Sequence, residues 1–536
     1  MKNWNFTIVT SLLMMIFVSC RETTDKLISY DHENQIAFSN AEYSFAGKFG
    51  VLWNGLNQNY PIWDYEAEFG LDWDAVGEEY FPQFQALDRQ ETVTDDELRA
   101  LMGKVCAPLH DGHIMIAFSN HKTGTQLVTY SPSNERIKSR DDYQAASTCT
   151  PSLYYYSCVE NGEMMTDTDG NPIIKQYSTA STGFLNTFTS ISNRGAWWII
   201  KQINELKKQP TLTEAENLRL QQLETFMKKL QLLFELETDS AIEFYNQLVE
   251  EYASLQVPGL DHFDATCSDH DITLKYGLFK GNIAYLYINK FNLSYYLDGY
   301  YTQKAWGSSE AAAEHIKRIK EVWDEWFNTV QRLHKEGTLG GVIIDVRGNI
   351  GGNTNDFKYI PGSLLPSGGF QIGYKRYKNG SGRYDFTPLS LIVKSTMDEA
   401  HEVISEPVVI LTNCKTASMA EHITLAVKAM PNGTVVGKRT LGALGSMMLD
   451  DAYYPHHYTG YIGVLNETPV YVYLPDVATL TLDKKIIEGV GIAPDIEVDL
   501  DAQINMTVGC DAQLDGALQF IRDYSGSNGP QSWSEP

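Results

Sequence analysis

The chain has 536 residues, with 42 Lys and Arg against 68 Asp and Glu, and so a formal net charge of −26. That field repels a phosphate backbone and argues against nucleic acid as a partner. With 43% hydrophobic and 21% charged residues the composition is that of a globular protein, neither disordered nor fibrous, and the length predicts two to four domains.

Lys2 precedes an apolar run from Ile8 to Val18, broken only by Thr10 and Ser11 and followed by Ser19-Cys20. A basic start, a short apolar stretch and a small residue before a cleavage point read as a secretory signal over residues 1–19. The run is shorter than the about 20 apolar residues that span a bilayer, and Arg21-Glu22 follow at once. The placement of Cys20 resembles a bacterial lipoprotein box. That implies lipidation of Cys20 and a place in the cell envelope, on the outer membrane or periplasmic face, with membrane contact only through the lipid; an uncleaved anchor is the alternative. No other segment is long and apolar enough to cross a membrane. Cys149 and Cys158 are near enough in sequence for one loop-closing disulfide in an exported protein, with unpaired thiols the alternative. No pair has C-x-x-C spacing, so zinc has no support.

Residues 20–120 read as a helical N-terminal region. Trp63 to Leu101 carries aromatic and acidic residues at helical spacing, and Thr94-Asp95-Asp96-Glu97 is a helix-start signal. Leu109-His110-Asp111-Gly112-His113 is a tight turn by its Asp-Gly pair and leads into the strand-like Ile114–Phe118, which puts His113 at the mouth of a strand. Residues 121–270 read as an insertion: irregular or β-containing to about 190, then strongly helical from Trp197 to Leu255. In that helical part Thr213 with Glu216 forms a capping box, and Asp239-Ser240 gives a second start.

From 271 to 505 the pattern alternates. Ile283–Ile288, Gly341–Val346 and Pro407–Leu411 are apolar strands, Ala311–Lys335 and Ser418–Met430 are helices, and Val435-Val436 begins another strand; residues 506–536 are left as a tail. The fold class expected is α/β, a mixed and largely parallel sheet with covering helices, to which the N-terminal region and insertion add helices. Chemistry in such sheets collects at the carboxyl ends of strands.

Two strand ends qualify. One runs Asp345-Val346-Arg347-Gly348-Asn349-Ile350-Gly351-Gly352-Asn353, a glycine-rich turn without the Lys-Ser/Thr ending of a nucleotide-binding loop. The other places Ser418 at the first turn of a helix, where free N–H groups and the positive dipole end favour an oxyanion. Taken alone, a serine there reads as a helix cap rather than a nucleophile. Asp345 and Arg347 read as an ion pair bracing the strand end.

These segments, with Thr434-Val435-Val436-Gly437, Thr440-Leu441-Gly442-Ala443 and Glu488-Gly489-Val490-Gly491-Ile492-Ala493-Pro494-Asp495, resemble the core of the C-terminal processing peptidase superfamily of serine peptidases over roughly residues 275–500, plus the detached Asp111-Gly112-His113. The resemblance implies a ClpP/crotonase-like core. It also separates two branches. One uses a lysine 25 residues after the serine, and that place here is Ala443, with Lys438 and Lys415 off register. The tricorn-like branch takes its base from an upstream Asp-Gly-His motif and orients it with a downstream glutamate. On that resemblance Ser418 is the nucleophile, His113 the base and Glu488 the orienting carboxylate, and Gly351, Gly352 and the backbone of Met419 are the oxyanion donors. Histidine suits the role, because its ordinary pKa lies near neutrality and a carboxylate can fix its tautomer.

The implied activity is hydrolysis of peptide bonds in peptides or unfolded proteins through an acyl-enzyme, with no metal or organic cofactor. His456-His457 is not read as a ligand pair. The alternative class is a catalytically inactive protein binding a peptide or hydrophobic ligand, since the same core resembles repeats of retinoid-binding proteins of the eye and the chain holds 31 Tyr, 22 Phe and 10 Trp. A surface lipoprotein of a nutrient-uptake system is a further alternative. No stretch between His113 and residue 275 matches a PDZ module.

Overall fold

The computed structural model describes residues 43–143, 174–178, 199, 203, 206–233, 272–299, 310–379, 382–397, 401–446, 470–500 and 511–524. The signal segment, Cys20, Cys149, Cys158, the start at Asp239-Ser240 and His456-His457 lie outside them. Among the described residues, Cys106 and Cys414 are unpaired buried thiols, and no helix is long and apolar enough to cross a membrane. The chain divides into two compact units: one holds residues up to Glu135 with Lys375–Leu389 and Gly445–Thr479, and the other holds Arg136–Tyr374, Ser390–Leu444 and the chain from Leu480 onward.

The first unit opens with helices α1 (Phe45–Asn59), α2 (Trp63–Glu68), α3 (Trp73–Asp88) and α4 (Asp95–Cys106). Their starts are set by side chains that satisfy orphan N–H groups. Ser44 Oγ accepts from Gly47 N at 3.1 Å, Asp72 Oδ1 from Asp74 N at 3.0 Å, and Thr94 and Glu97 cap each other's backbone as the sequence predicts. Phe49 of α1 stacks on Phe84 of α3 at 4.7 Å between ring centres. Strand β1 (Met115–Asn120) follows and pairs antiparallel with β2 (Thr125–Tyr130) on one side and with Val470–Tyr473 on the other. The expected boundary at residue 120 is therefore corrected: it cuts a hairpin, whose turn needs Gly124 at φ +83°.

The second unit is built on one seven-stranded sheet. Its described strands are β3 (Ile174–Ser178), β4 (Thr273–Phe279), β5 (Ile283–Ile288), β6 (Gly341–Asp345), β7 (Val408–Thr412), β8 (Gly433–Gly437) and β9 (Ile496–Glu497). The spatial order is β9-β8-β7-β6-β5-β4-β3. Neighbours from β9 to β5 run parallel, and β4 and β3 add on antiparallel, which is the mixed, largely parallel sheet expected.

Every residue of β5, β6 and β7 is buried, as a sheet covered on both faces requires. The period-2 alternation sorts them. Leu286, Ile288, Val342, Ile344, Val408 and Ile410 pack with α6 (Glu310–Lys335) and α7 (Met419–Ala429), while Tyr285, Ile343, Val409, Leu411 and Val436 pack with α8 (Ala512–Asp523). Helix α6 presents Ile319, Val322, Trp326, Val330 and Leu333 at three- and four-residue spacing and stops at Gly337, φ +67°.

Helix α8 corrects the expected tail. Residues 511–524 are part of the core: Asp511 accepts from Leu514 N as the helix cap, and Leu514, Leu518 and Ile521 are buried on the sheet. In the insertion, the Thr213–Glu216 box starts a helix over Glu214–Leu233 (α5) as predicted.

Candidate active site

The loops that follow β6 and β7 are stitched to each other by four hydrogen bonds. Val346 N donates to Leu411 O at 3.1 Å, Thr416 Oγ1 to Val346 O at 3.0 Å, Gly348 N to Asn413 Oδ1 at 3.0 Å, and Ala417 N to Asn349 O at 3.0 Å. Below them Arg347 is fully buried between Asp345 (2.6 Å) and Asp511 (2.7 Å) and also donates to Gln513. The strand-end brace expected of Asp345 and Arg347 is present. Its third member, Asp511, carries no local sequence signal.

At the end of the second loop Ser418 stands half-buried at the cap position of α7 with φ 56° and ψ −122°. A non-glycine residue held there costs on the order of 1–3 kcal/mol, so the surrounding bonds must fix it. One is the carboxylate of Glu421, which accepts from Ser418 N at 3.2 Å and also from Ala443 N at 2.7 Å, Gly442 N at 2.9 Å and Thr440 Oγ1 at 2.6 Å. Glu421 is fully buried, and burial raises its pKa against the lowering effect of those bonds. Sequence reading places Glu421 only as part of a motif; its four donors come from chain segments about twenty residues apart.

Gly351 (φ +100°) lies directly against the serine. A Cβ on it would sit 2.5 Å from Ser418 Cβ and 2.8 Å from Met419 N. Gly352 (φ +139°) is pressed as closely on Phe291, whose carbonyl oxygen would be 2.0 Å from its Cβ. The two glycines differ as donors. Gly351 N already donates to Asn349 Oδ1 at 2.8 Å, whereas the N–H groups of Gly352 and of Met419, the first residue of α7, take no partner among the described residues. Of the three N–H groups expected as donors, those of Gly352 and Met419 are the ones not engaged within the described residues.

Ala443, in the place of the lysine of the other branch, meets Glu421 through its backbone. Lys438 is bound elsewhere: its ammonium lies 2.9 Å from Glu497 and also pairs with Asp499. Burial pulls its pKa down, but the bonds to Asp499 and Glu497 outweigh this and hold it above the ordinary value, so it is not a free base. Lys415 lies over the Tyr143 ring, 5.7 Å from its centre. Glu488 is buried and accepts from Leu444 N at 2.7 Å, and its loop lies on Gly442 (φ +85°), where a Cβ would meet the N atoms of 489–491 at 2.7–2.8 Å. Ser418, Met419, Gly351, Gly352 and the Glu488 loop are therefore brought together by one network.

His113 belongs to the other unit. Its turn is fixed by Asp111 Oδ1, which accepts from His113 N at 2.7 Å and Ile114 N at 3.1 Å. Asp111 N donates in turn to Tyr60 Oη at 3.3 Å, and buried Glu66 accepts from Tyr60 Oη at 2.5 Å and from His110 N at 2.7 Å, with His110 Nδ1 at 2.7 Å. Tyr60 and Glu66 are positioning groups that sequence reading missed, since nothing local marks a contact 44 residues away. His113 Nδ1 is buried with no hydrogen-bond partner, and burial pushes the imidazole down to about 4, keeping it neutral. Among the described residues no cluster of His, Cys, Asp and Glu could hold a metal ion.

Residues 282–498 match the model of peptidase family S41. Among solved structures the chain is similar to a putative peptidase from Parabacteroides merdae, at 18% identity over 90% of this chain and 98% of that one, TM-score 0.44. It is also similar to mature CPAF, at 11% over 91% and 99%, TM-score 0.43, and to the tricorn protease, at 19% over 45% and 18%, TM-score 0.26. A search of curated proteins returned no match. The family match covers residues 282–498, which hold most of the largely parallel sheet together with the serine and the glycine loop, and it supports a serine-type hydrolase of the C-terminal processing peptidase superfamily.

Proposed function

We propose that the protein is an exported, lipid-anchored endopeptidase that cleaves peptides or unfolded proteins with Ser418 as nucleophile, His113 as base and Glu488 as the carboxylate that orients it. Ser418 Oγ attacks the scissile carbonyl while His113 takes its proton. The N–H groups of Gly352 and Met419 donate to the oxyanion of the tetrahedral intermediate, and His113 then gives the proton to the leaving amine. Water, deprotonated by the same imidazole, hydrolyses the acyl-enzyme and restores the serine. Glu488 accepts from the imidazole and stabilises its charged form.

The observation that carries this reading is the posture of Ser418: held at positive φ at the start of a helix, against Gly351, with the N–H of Met419 next to it and that of Gly352 next to Gly351 in the chain, neither with a partner among the described residues. The imidazole of His113, with Nδ1 buried, is kept neutral and so is in the form that can accept a proton. Lipidation at Cys20 would tether the enzyme to the cell envelope. The test is a fluorophosphonate probe on the purified soluble form, with the adduct located by peptide mass spectrometry. One phosphonyl group on Ser418, absent in Ser418→Ala, is the expected result; labelling elsewhere or none contradicts it. Incorporation of a labelled fatty acid, lost in Cys20→Ser, tests the anchor.

A further inference from the structure

The glycine loop is tied down from a side that the catalytic scheme leaves unused. Phe291 N donates to Gly351 O at 2.9 Å and Asn353 N donates to Phe291 O at 2.5 Å, so residues 351–353 lie along Phe291 as a short parallel bridge. Phe291 is held in turn through Leu293 and Ser294. The N–H groups of both donate to one carboxylate, Asp356, at 2.6 and 2.7 Å. Asp356 stands three residues beyond Asn353 and its own N–H donates back to Asn353 O at 3.3 Å. The result is a closed circuit: Gly351 to Phe291, Leu293 and Ser294 to Asp356, and Asp356 to Asn353.

We propose that Asp356 is a positioning residue for the oxyanion site, fixing the 291–294 segment on which Gly352 is seated and so the direction of the Gly352 N–H. The inference rests on the reading of Gly352 as an oxyanion donor. The carboxylate is completely buried, which is expensive unless both oxygens are satisfied. Burial raises it to about 6, and the nearby Asp298 is occupied by Lys358 at 2.6 Å, so at neutral pH Asp356 is ionised and each oxygen serves one N–H. An ordinary surface turn would have no use for such a group. Asparagine, isosteric but with a single acceptor oxygen, would face one of the two donors with its own NH₂.

A donor displaced by a fraction of an ångström weakens only the transition state, which separates this role from a general stabilising one. The experiment compares wild type, Asp356→Asn and Asp356→Ala for kcat and KM on a peptide substrate. Thermal midpoint and amide exchange of residues 349–353 are measured in parallel. The expected result for Asp356→Asn is a kcat lower by about 10- to 100-fold with KM unchanged, a folded protein, and faster exchange in 349–353. Unchanged kcat in a folded variant overturns the proposal, as does a loss that merely tracks unfolding. A wild type without cleavage or probe labelling sinks the underlying peptidase reading instead, and faster exchange in the variants would then leave Asp356 a purely structural tie.

Discussion

Gly351 and Ser418 touch: a Cβ on the glycine would lie 2.5 Å from the Cβ of the serine. The glycine-rich turn is therefore not generic flexibility but a close approach of backbone to Ser418, at a φ of +100° that side chains avoid. Gly351→Ala should cost about 1–3 kcal/mol of stability through overpacking and about 100-fold or more in kcat through displacement of Ser418. Denaturant titration beside kinetics checks this; a variant with wild-type kcat would show that the contact is not kept in solution.

The strained backbone of Ser418 predicts a difference between two inactive variants. Ser418→Ala keeps the unfavourable φ of 56°, whereas Ser418→Gly relieves it. Both should lose peptidase activity. The glycine variant should nevertheless be more stable than the alanine variant by on the order of 1 kcal/mol, despite the greater freedom of its unfolded chain. A glycine variant less stable than the alanine one would mean that the serine is not held in this conformation.

The imidazole of His113 sets an acid limit. Burial lowers it from the ordinary 6.5 to about 4, and only the neutral ring accepts a proton. Activity should persist through about pH 5 and fall as the pH drops through about 4. Because the folded-state value is the lower one, the stability gained by burying the neutral ring is complete above pH 6.5 and is lost as the pH falls towards 4. His113→Gln should flatten that part of the stability profile. An acid limb of kcat/KM at 6.5 with unchanged stability would contradict the burial.

The C-terminal helix should be indispensable. Truncation after residue 505 removes Leu514, Leu518 and Ile521 from the sheet, each worth about 1.5–3 kcal/mol when buried. It also strips Arg347 of its partner Asp511, and breaking a buried pair costs about 3–5 kcal/mol. The truncated chain should be insoluble or lack cooperative unfolding. Asp511→Ala in the full chain should be folded but markedly less stable. A soluble, cooperatively unfolding truncation would return 506–536 to the status of a tail.

What was legible in the sequence is what periodicity and spacing encode. Fully apolar runs such as Ile283–Ile288 could only be strands covered on both faces, and a serine opening an apolar helix after such a strand marks an oxyanion-friendly place. Ala443 at the lysine position was legible; the pairing of Lys438 with Glu497 and Asp499 was not. Polar contacts made across the chain were not legible: Arg347 with Asp511, Glu66 with His110 and Asp356 with Leu293 each join segments with no shared pattern. The hairpin across residue 120 was missed because alternation in Thr125–Tyr130 is weak. The engaged N–H of Gly351 depends on one rotamer of Asn349, which no sequence pattern specifies.

The central claim is that Ser418 and His113 act as one catalytic pair. The most direct measurement is cleavage of an unfolded protein by the soluble form, residues 21–536, beside Ser418→Ala and His113→Ala, each checked for folding. Cleavage by the wild type that disappears in both folded variants is the predicted result. Cleavage surviving in His113→Ala but not in Ser418→Ala would contradict the pairing and place the base elsewhere in the chain.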